Sequence, residues 1–222
     1  MPAQSARRPR RILDRGTACS FYVIMVLGLL LIASAYLIGS VASAVVVCRF
    51  LNLPDPRSGG SGNPGATNVL RIGGKSAAAL TLAGDVVKGL VPVLLARALS
   101  NELVVAAAAL AAFLGHLYPI YFGFAGGKGV ATAFGAVAGL AFPVMLVMGV
   151  AWLIVVAATR YVSLASVVAA GVAPVAAFAL ALHPATFAAL AVMAGFIVHR
   201  HKANIARLRS GTESRIGENA DS

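Results

Sequence analysis

FYVIMVLGLLLIASAYLIGSVASAVVV, residues 21–47, runs without one charged side chain. That exceeds the ~20 apolar residues needed to cross a hydrocarbon core. Six further apolar stretches follow, at about 78–97, 103–121, 130–142, 144–159, 163–182 and 184–198. The two at 130–142 and 144–159 are short, so each is expected to tilt inward against protein or to span only in part. The expected class is all-α: a polytopic integral membrane protein of about seven transmembrane helices. Composition agrees, with 59% apolar and 11% charged residues in 222; soluble domains carry roughly 25% charged residues. No soluble domain and no repeat of fixed period is visible. The chain divides into a basic tail over 1–20, expected to be disordered, a membrane domain over 21–208 and a polar tail over 209–222. The polar stretch from 199 should begin as a short amphipathic helix.

Arginines precede residue 21 and Ala-Ser-Ala stands at 33–35, yet the apolar run is too long for a signal h-region, and no cleavage is expected. Cys19 and Cys48 flank the first span at opposite ends, so they cannot pair with each other, and no zinc-ligand spacing exists. Neither a metal nor a cofactor is expected. The net charge of +11 suits cytoplasmic loops and anionic headgroups rather than nucleic acid, because no basic–aromatic interleaving accompanies it.

With seven spans, the loops near 48–77, 122–129 and 160–162 share a face with the C-terminal tail. That face holds Arg49, Arg57, Arg71, Lys75, Lys128, Arg160, Arg200, Lys202, Arg207, Arg209 and Arg215, whereas Arg97 stands alone among the opposite loops. The positive-inside rule therefore places these loops and the C-terminus in the cytoplasm and the N-terminus outside. Arg7, Arg8, Arg10, Arg11 and Arg15 in the N-terminal tail argue the other way and are outvoted.

Four polar patches fall on that face. Residues 58–71 read SGGSGNPGATNVLR. Gly62 and Gly65 let backbone N–H groups approach an anion; Ser61, Asn63, Thr67 and Asn68 offer side-chain hydrogen bonds, and Arg71 supplies charge. The second patch holds His116 and then Gly126, Gly127, Lys128 and Gly129 ahead of an apolar helix. A lysine among glycines at a helix N-terminus suits an anion, since the helix dipole and free N–H groups add to the ammonium charge. In the third, Arg160-Tyr-Val-Ser163, the arginine could be a simple interfacial anchor and the serine a small packing residue. In the fourth, His201 and Asn204 stand three apart and share a helical face; a solvated basic helix explains them equally well. Asp85 and Lys88, at i and i+3 inside the second span, read as an internal ion pair that holds the helix against the loops.

Several chemistries drop out. Gly74-Lys75-Ser76 and Gly127-Lys128 lack the first glycine of a Walker loop, with Val69 and Phe122 in its place. Five residues after the histidines stand Tyr121, Ala188, Asn204 and Ala206, so the His-x4-Asp arrangement of acyl-CoA-dependent acyltransferases is missing. No Ser-His-Asp set is evident.

Taken together, SGNPGATNVLR at 61–71, Gly115-His116-x-x-Pro119 leading into GGKGVAT at 126–132, Arg160-Tyr-Val-Ser-Leu-x-Ser166 and Arg200-His-x-x-Asn-Ile-x-Arg-Leu208 resemble the bacterial acyl-phosphate:glycerol-3-phosphate acyltransferases, the PlsY family. Asp85-x-x-Lys88-Gly89 also fits. The likeness runs from about residue 39 to 213; Pro64 and the basic extension before residue 20 depart from the pattern. It implies a seven-helix enzyme that transfers a fatty acyl group from acyl phosphate to the 1-hydroxyl of glycerol 3-phosphate. The products would be lysophosphatidic acid and inorganic phosphate, at the first step of bacterial phospholipid synthesis. It also implies a cytoplasmic-membrane location with an inward-facing site, and a functional link to the enzyme that forms acyl phosphate and to the next acyltransferase. By the same resemblance Ser61, Arg71, Lys128, Ser163, His201 and Asn204 would do the chemistry. Gly62, Asn63, Gly65, Thr67, Asn68, Gly126, Gly127 and Gly129 would hold phosphate, with Asp85, Lys88, His116 and Arg160 in support.

The residues support that chemistry on physical grounds. Two phosphate-bearing substrates need several cations and N–H donors in one place, and an acyl tail needs an apolar groove or lipid. The chain holds few candidate bases, so a substrate phosphate is favoured over His201 for taking the hydroxyl proton, and a covalent acyl-Ser61 is disfavoured. A small phosphate or organic-anion transporter is the competing class. It would place polar residues at the bilayer midplane within inverted repeats, and neither is seen.

Overall fold

The computed structural model describes residues 15–217. The arginines at 7, 8, 10 and 11, and most of the tail expected to be disordered, lie outside the described residues. Residues 15–20, assigned to that tail, are already helical: α1 runs Arg15–Gly39, followed by α2 at Ser43–Phe50. The stretch at 21–47 is thus one span broken into two helices rather than a single rod. The break comes where Gly39 lies against α4 (Glu102–Leu117): a Cβ at Gly39 would fall 2.1 Å from the Ala112 carbonyl oxygen. Opening a helix inside a bilayer strands backbone carbonyls. Here Lys88 of α3 (Ala66–Leu99) donates to the Val41 carbonyl at 2.7 Å.

α3 is longer than the apolar stretch at 78–97 suggested, because Thr67, Asn68 and Arg71 belong to its first turns instead of a loop. Its 34 residues are more than a straight helix needs to cross a ~30 Å hydrocarbon core. Gly74 (φ 76°, ψ −172°) bends it in a conformation open only to glycine.

The 103–121 stretch is α4 followed by a 3₁₀ turn at Ile120–Phe122. After the glycine loop come α5 (Val130–Leu140), α6 (Phe142–Thr159), α7 (Val162–Ala179), α8 (Pro184–Arg200) and α9 (Lys202–Ser210). Among the described residues five helices are long and apolar enough to cross a membrane, with α5 and α8 shorter. Of the two stretches expected to be short, only α5 is: α6 has the length of a full span.

Helix directions follow from contacts. Gly28 meets Val104 and Gly39 meets Ala112, so α1 and α4 run parallel. Gly135 meets Val86 and Gly139 meets Val93, so α3 and α5 run parallel the other way. At Gly135 an added Cβ would lie 2.0 Å from the Val86 carbonyl oxygen. Such close backbone approach is how helices associate in lipid, where apolar burial gains nothing. The core around α4 is accordingly rich in alanine, including Ala35, Ala108, Ala112 and Ala136.

Candidate functional site

The alternation brings the loop after α2, the loop between α4 and α5, the α6–α7 turn and the segment after α8 to one face. The first loop is built on Asn68. Its amide nitrogen donates to the Pro56 and Gly59 carbonyls at 2.8 and 3.0 Å, and its oxygen accepts from the Ser61 N–H at 2.8 Å. That buried amide is fully spent on the protein, so Asn68 shapes the loop. Asp55 takes a forked pair from Arg57, whose hydrogen bonds hold its carboxyl down at about 2. Ser61 and Thr67 are exposed, Asn63 is half-buried, and Gly65 caps α3.

The second loop lies directly against this one. A Cβ on Gly127 would sit 2.4 Å from His116 Nε2 and 3.1 Å from the Pro64 carbonyl oxygen, so only glycine admits the approach. Arg200 donates to the carbonyls of Gly126 and Gly127 at 2.6 and 2.9 Å. Gly129, at φ 83°, starts α5.

Lys128 reaches from this loop to Asn204 Oδ1 at 2.5 Å. The Asn204 amide nitrogen donates to Glu213 Oε1 at 2.6 Å, the same oxygen that Ser163 Oγ bonds at 2.6 Å, while Arg207 Nε donates to Oε2 at 2.7 Å. Burial pushes the Lys128 ammonium below its ordinary pKa; Glu213 opposes this, and nearby Arg207, Arg71 and Arg200 add to it. Burial pushes the Glu213 carboxyl up, but hydrogen bonds from Ser163, Asn204 and Arg207 outweigh it and keep the group ionised. His201 is 3% exposed and donates its Nδ1 proton to the Ile197 carbonyl at 2.7 Å. Burial lowers it to about 4, so the ring is neutral.

Lys128, Ser163 and Asn204 therefore meet around Glu213, with His201 and Arg71 within electrostatic reach of Lys128. Arg71 is exposed and bonds no other side chain among the described residues. Arg160 turns away from the cluster to bond the Ile216 carbonyl, while Ile216 N donates back to the Arg160 carbonyl at 3.0 Å. Glu213, Arg200 and Arg207 are site residues that sequence reading did not assign. Glu213 is an acid in a polar tail, where solvation is the ordinary expectation; its one signal is Gly211 ahead of it, whose left-handed φ of 74° turns the chain back. Among the described residues no cluster of His, Cys, Asp and Glu could hold a metal.

Fold and site together define a polytopic helical membrane protein whose loops gather cations and amide donors around one anion at one face. The family model described as glycerol-3-phosphate acyltransferase matches residues 29–211. The glycerol-3-phosphate acyltransferase of Halorhodospira halophila is 54% identical over 86% of this chain and 98% of its own. That of Thioalkalivibrio sulfidiphilus is 55% identical over 87% and 96%. The crystal structure of PlsY, an integral membrane glycerol 3-phosphate acyltransferase, superposes in its glycerol 3-phosphate form with a TM-score of 0.83 at 40% identity. It covers 86% of this chain and 96% of that one. Its lysophosphatidic acid form gives 0.79 at 39%. The chain belongs to the glycerol-3-phosphate acyltransferase family, and it is a multi-pass integral membrane enzyme of phospholipid synthesis.

Proposed function

We propose that the acyl donor is acyl phosphate and that the chain moves its acyl group to the 1-hydroxyl of glycerol 3-phosphate, releasing lysophosphatidic acid and inorganic phosphate. The observation that carries this reading is the gathering of Ser163, Asn204 and Arg207 on one carboxylate, with Lys128 bonded to the same Asn204. A pocket that already stabilises an ionised anion among buried donors is suited to phosphate. Arg71, Lys128 and the loops carrying Gly62, Asn63, Gly65, Thr67, Gly126, Gly127 and Gly129 hold the two phosphates. Asn68, already spent on the protein, serves the first loop from behind.

Phosphate is a good leaving group, so no strong acid is needed for its departure. The attacking hydroxyl must still lose a proton. A neutral His201 held near 4 is a weak base, which favours a substrate phosphate as acceptor. Ser61 and the amides of the first loop stabilise the oxyanion that develops on the acyl carbonyl. The site opens to the cytoplasm of a bacterial inner membrane, where a soluble acceptor arrives from water and the acyl tail from lipid. The enzyme that forms acyl phosphate would supply it, and the next acyltransferase would take its product.

The test is purified protein in detergent or lipid mesophase, given labelled glycerol 3-phosphate with palmitoyl phosphate or with palmitoyl-CoA. Labelled lysophosphatidic acid from palmitoyl phosphate alone is expected. Product from palmitoyl-CoA alone would overturn the donor assignment.

A further inference from the structure

Beneath the glycine loop lies a polar group that an anion site does not by itself require. Asp85, Lys88 and His116 are 2%, 6% and 7% exposed. Lys88 Nζ stands 2.8 Å from Asp85 Oδ1 and donates to the Val41 carbonyl where the first span breaks. His116 Nδ1 lies 3.4 Å from the same Asp85 oxygen. Holding two helices together does not call for this: apolar residues of similar volume serve a core at least as well as a buried ion pair. His116 Nδ1 stands on the side of Asp85 but at 3.4 Å makes no aligned hydrogen bond, so this buried nitrogen is only loosely held. A buried polar nitrogen without a full partner in a native fold calls for an explanation.

The far side of the imidazole shows what the cluster serves. Its Nε2 meets the Gly127 backbone so closely that no Cβ fits, and the His116 carbonyl oxygen is equally close to Gly126, 2.0 Å from where a Cβ would stand. The loop backbone is laid on His116 while Arg200 holds its two carbonyls. Lys128, the next residue, inherits its position from that backbone.

We propose that Asp85 and His116 are positioning residues for the phosphate loop: Asp85 orients the imidazole, and the imidazole sets the backbone that aims Lys128 at substrate phosphate. This rests on the reading that residues 126–129 hold phosphate. With its proton on Nδ1 facing Asp85, the ring presents an acceptor lone pair to the loop; Asp85 thus selects the tautomer, as carboxylates do for histidines elsewhere. Lys88 ties the same carboxylate to the broken span, which links the loop's position to the break between α1 and α2.

The experiment compares Asp85→Asn, Asp85→Glu, the neutral-pair variant Asp85→Asn/Lys88→Met and Lys128→Ala. Each is checked for a monodisperse, cooperatively melting protein. The readouts are kcat, KM for glycerol 3-phosphate and affinity for inorganic phosphate by calorimetry. Asp85→Asn should raise KM and weaken phosphate binding by about tenfold or more while kcat changes less than about threefold, and Asp85→Glu should restore part of the loss. Unchanged KM and phosphate affinity in a folded Asp85→Asn or double variant overturns the proposal, as does a fall in kcat alone. Failure of both variants to fold reduces the cluster to structural support and also overturns it. The underlying reading fails separately, if Lys128→Ala binds phosphate as the wild type does.

Discussion

Lys128 carries an ammonium among Arg71, Arg200 and Arg207, with the Glu213 carboxylate opposing them. Such a cluster is costly without a counter-charge and repays any anion that enters. Arg71 is exposed and bonds no other side chain among the described residues, so Arg71→Ala should leave folding intact. Lys128→Ala frees Asn204 to keep its bond to Glu213. Each variant should lose about a hundredfold or more in kcat/KM while inserting and melting like the wild type, measured by steady-state assay and thermal unfolding in detergent. Near-native turnover in either would remove that residue from the site. His201 gives a pH dependence of definite sign. Its folded pKa, pushed down to about 4 by burial, lies below the free value of ~6.5. The stability that depends on the neutral ring is complete above the free value and is lost as pH falls towards the folded one. The melting temperature should drop between about pH 6.5 and 4, and His201→Gln should flatten part of that drop.

The helices are held by backbone approach rather than by large apolar side chains. Gly89 of α3 is so near α5 that a Cβ would stand 2.2 Å from the Thr132 carbonyl oxygen. Gly89→Ala should therefore destabilise by about 1–3 kcal/mol through overpacking, lowering the melting temperature and raising KM, because α5 carries the glycine loop at its start. An unchanged melting temperature would show that the two helices part freely. This scale was only partly legible in sequence. Apolar length marked each span. It did not mark the break at residues 40–42, where no proline stands: the break depends on Gly39 meeting Ala112 and on Lys88 capturing the Val41 carbonyl. Nor did it mark the helical start of α3 at Ala66, since the run of glycine, amide and hydroxyl residues before Arg71 reads locally as loop.

Across the whole molecule, parallel α1 and α4 against parallel α3 and α5 put every polar patch on one face. Arg97, which donates to the Leu140 carbonyl at 2.6 Å, marks the other. Cysteine placed at Thr212 in a cysteine-free background should resist a membrane-impermeant thiol reagent in intact cells and react after lysis, whereas cysteine at Ala181 should react in both. The reverse pattern would invert the orientation argued from the positive-inside rule.

The sequence by itself determined the solvent and the chemistry. Apolar runs of bilayer length leave only a helical membrane protein, because every backbone group in lipid must be satisfied within its own helix. Four separated motifs carry the cations and glycines that a phosphate site needs. What only the tertiary structure decided is which polar groups meet. Glu213 is one acid in a basic tail until the left-handed turn at Gly211 brings it between Ser163 and Asn204, and Asp85 reads as an ion pair with Lys88 until α4 sets His116 beside it. Hydrogen bonds form over ~3 Å, and residues from distant spans come that close only through packing between helices, which no local pattern of residues encodes.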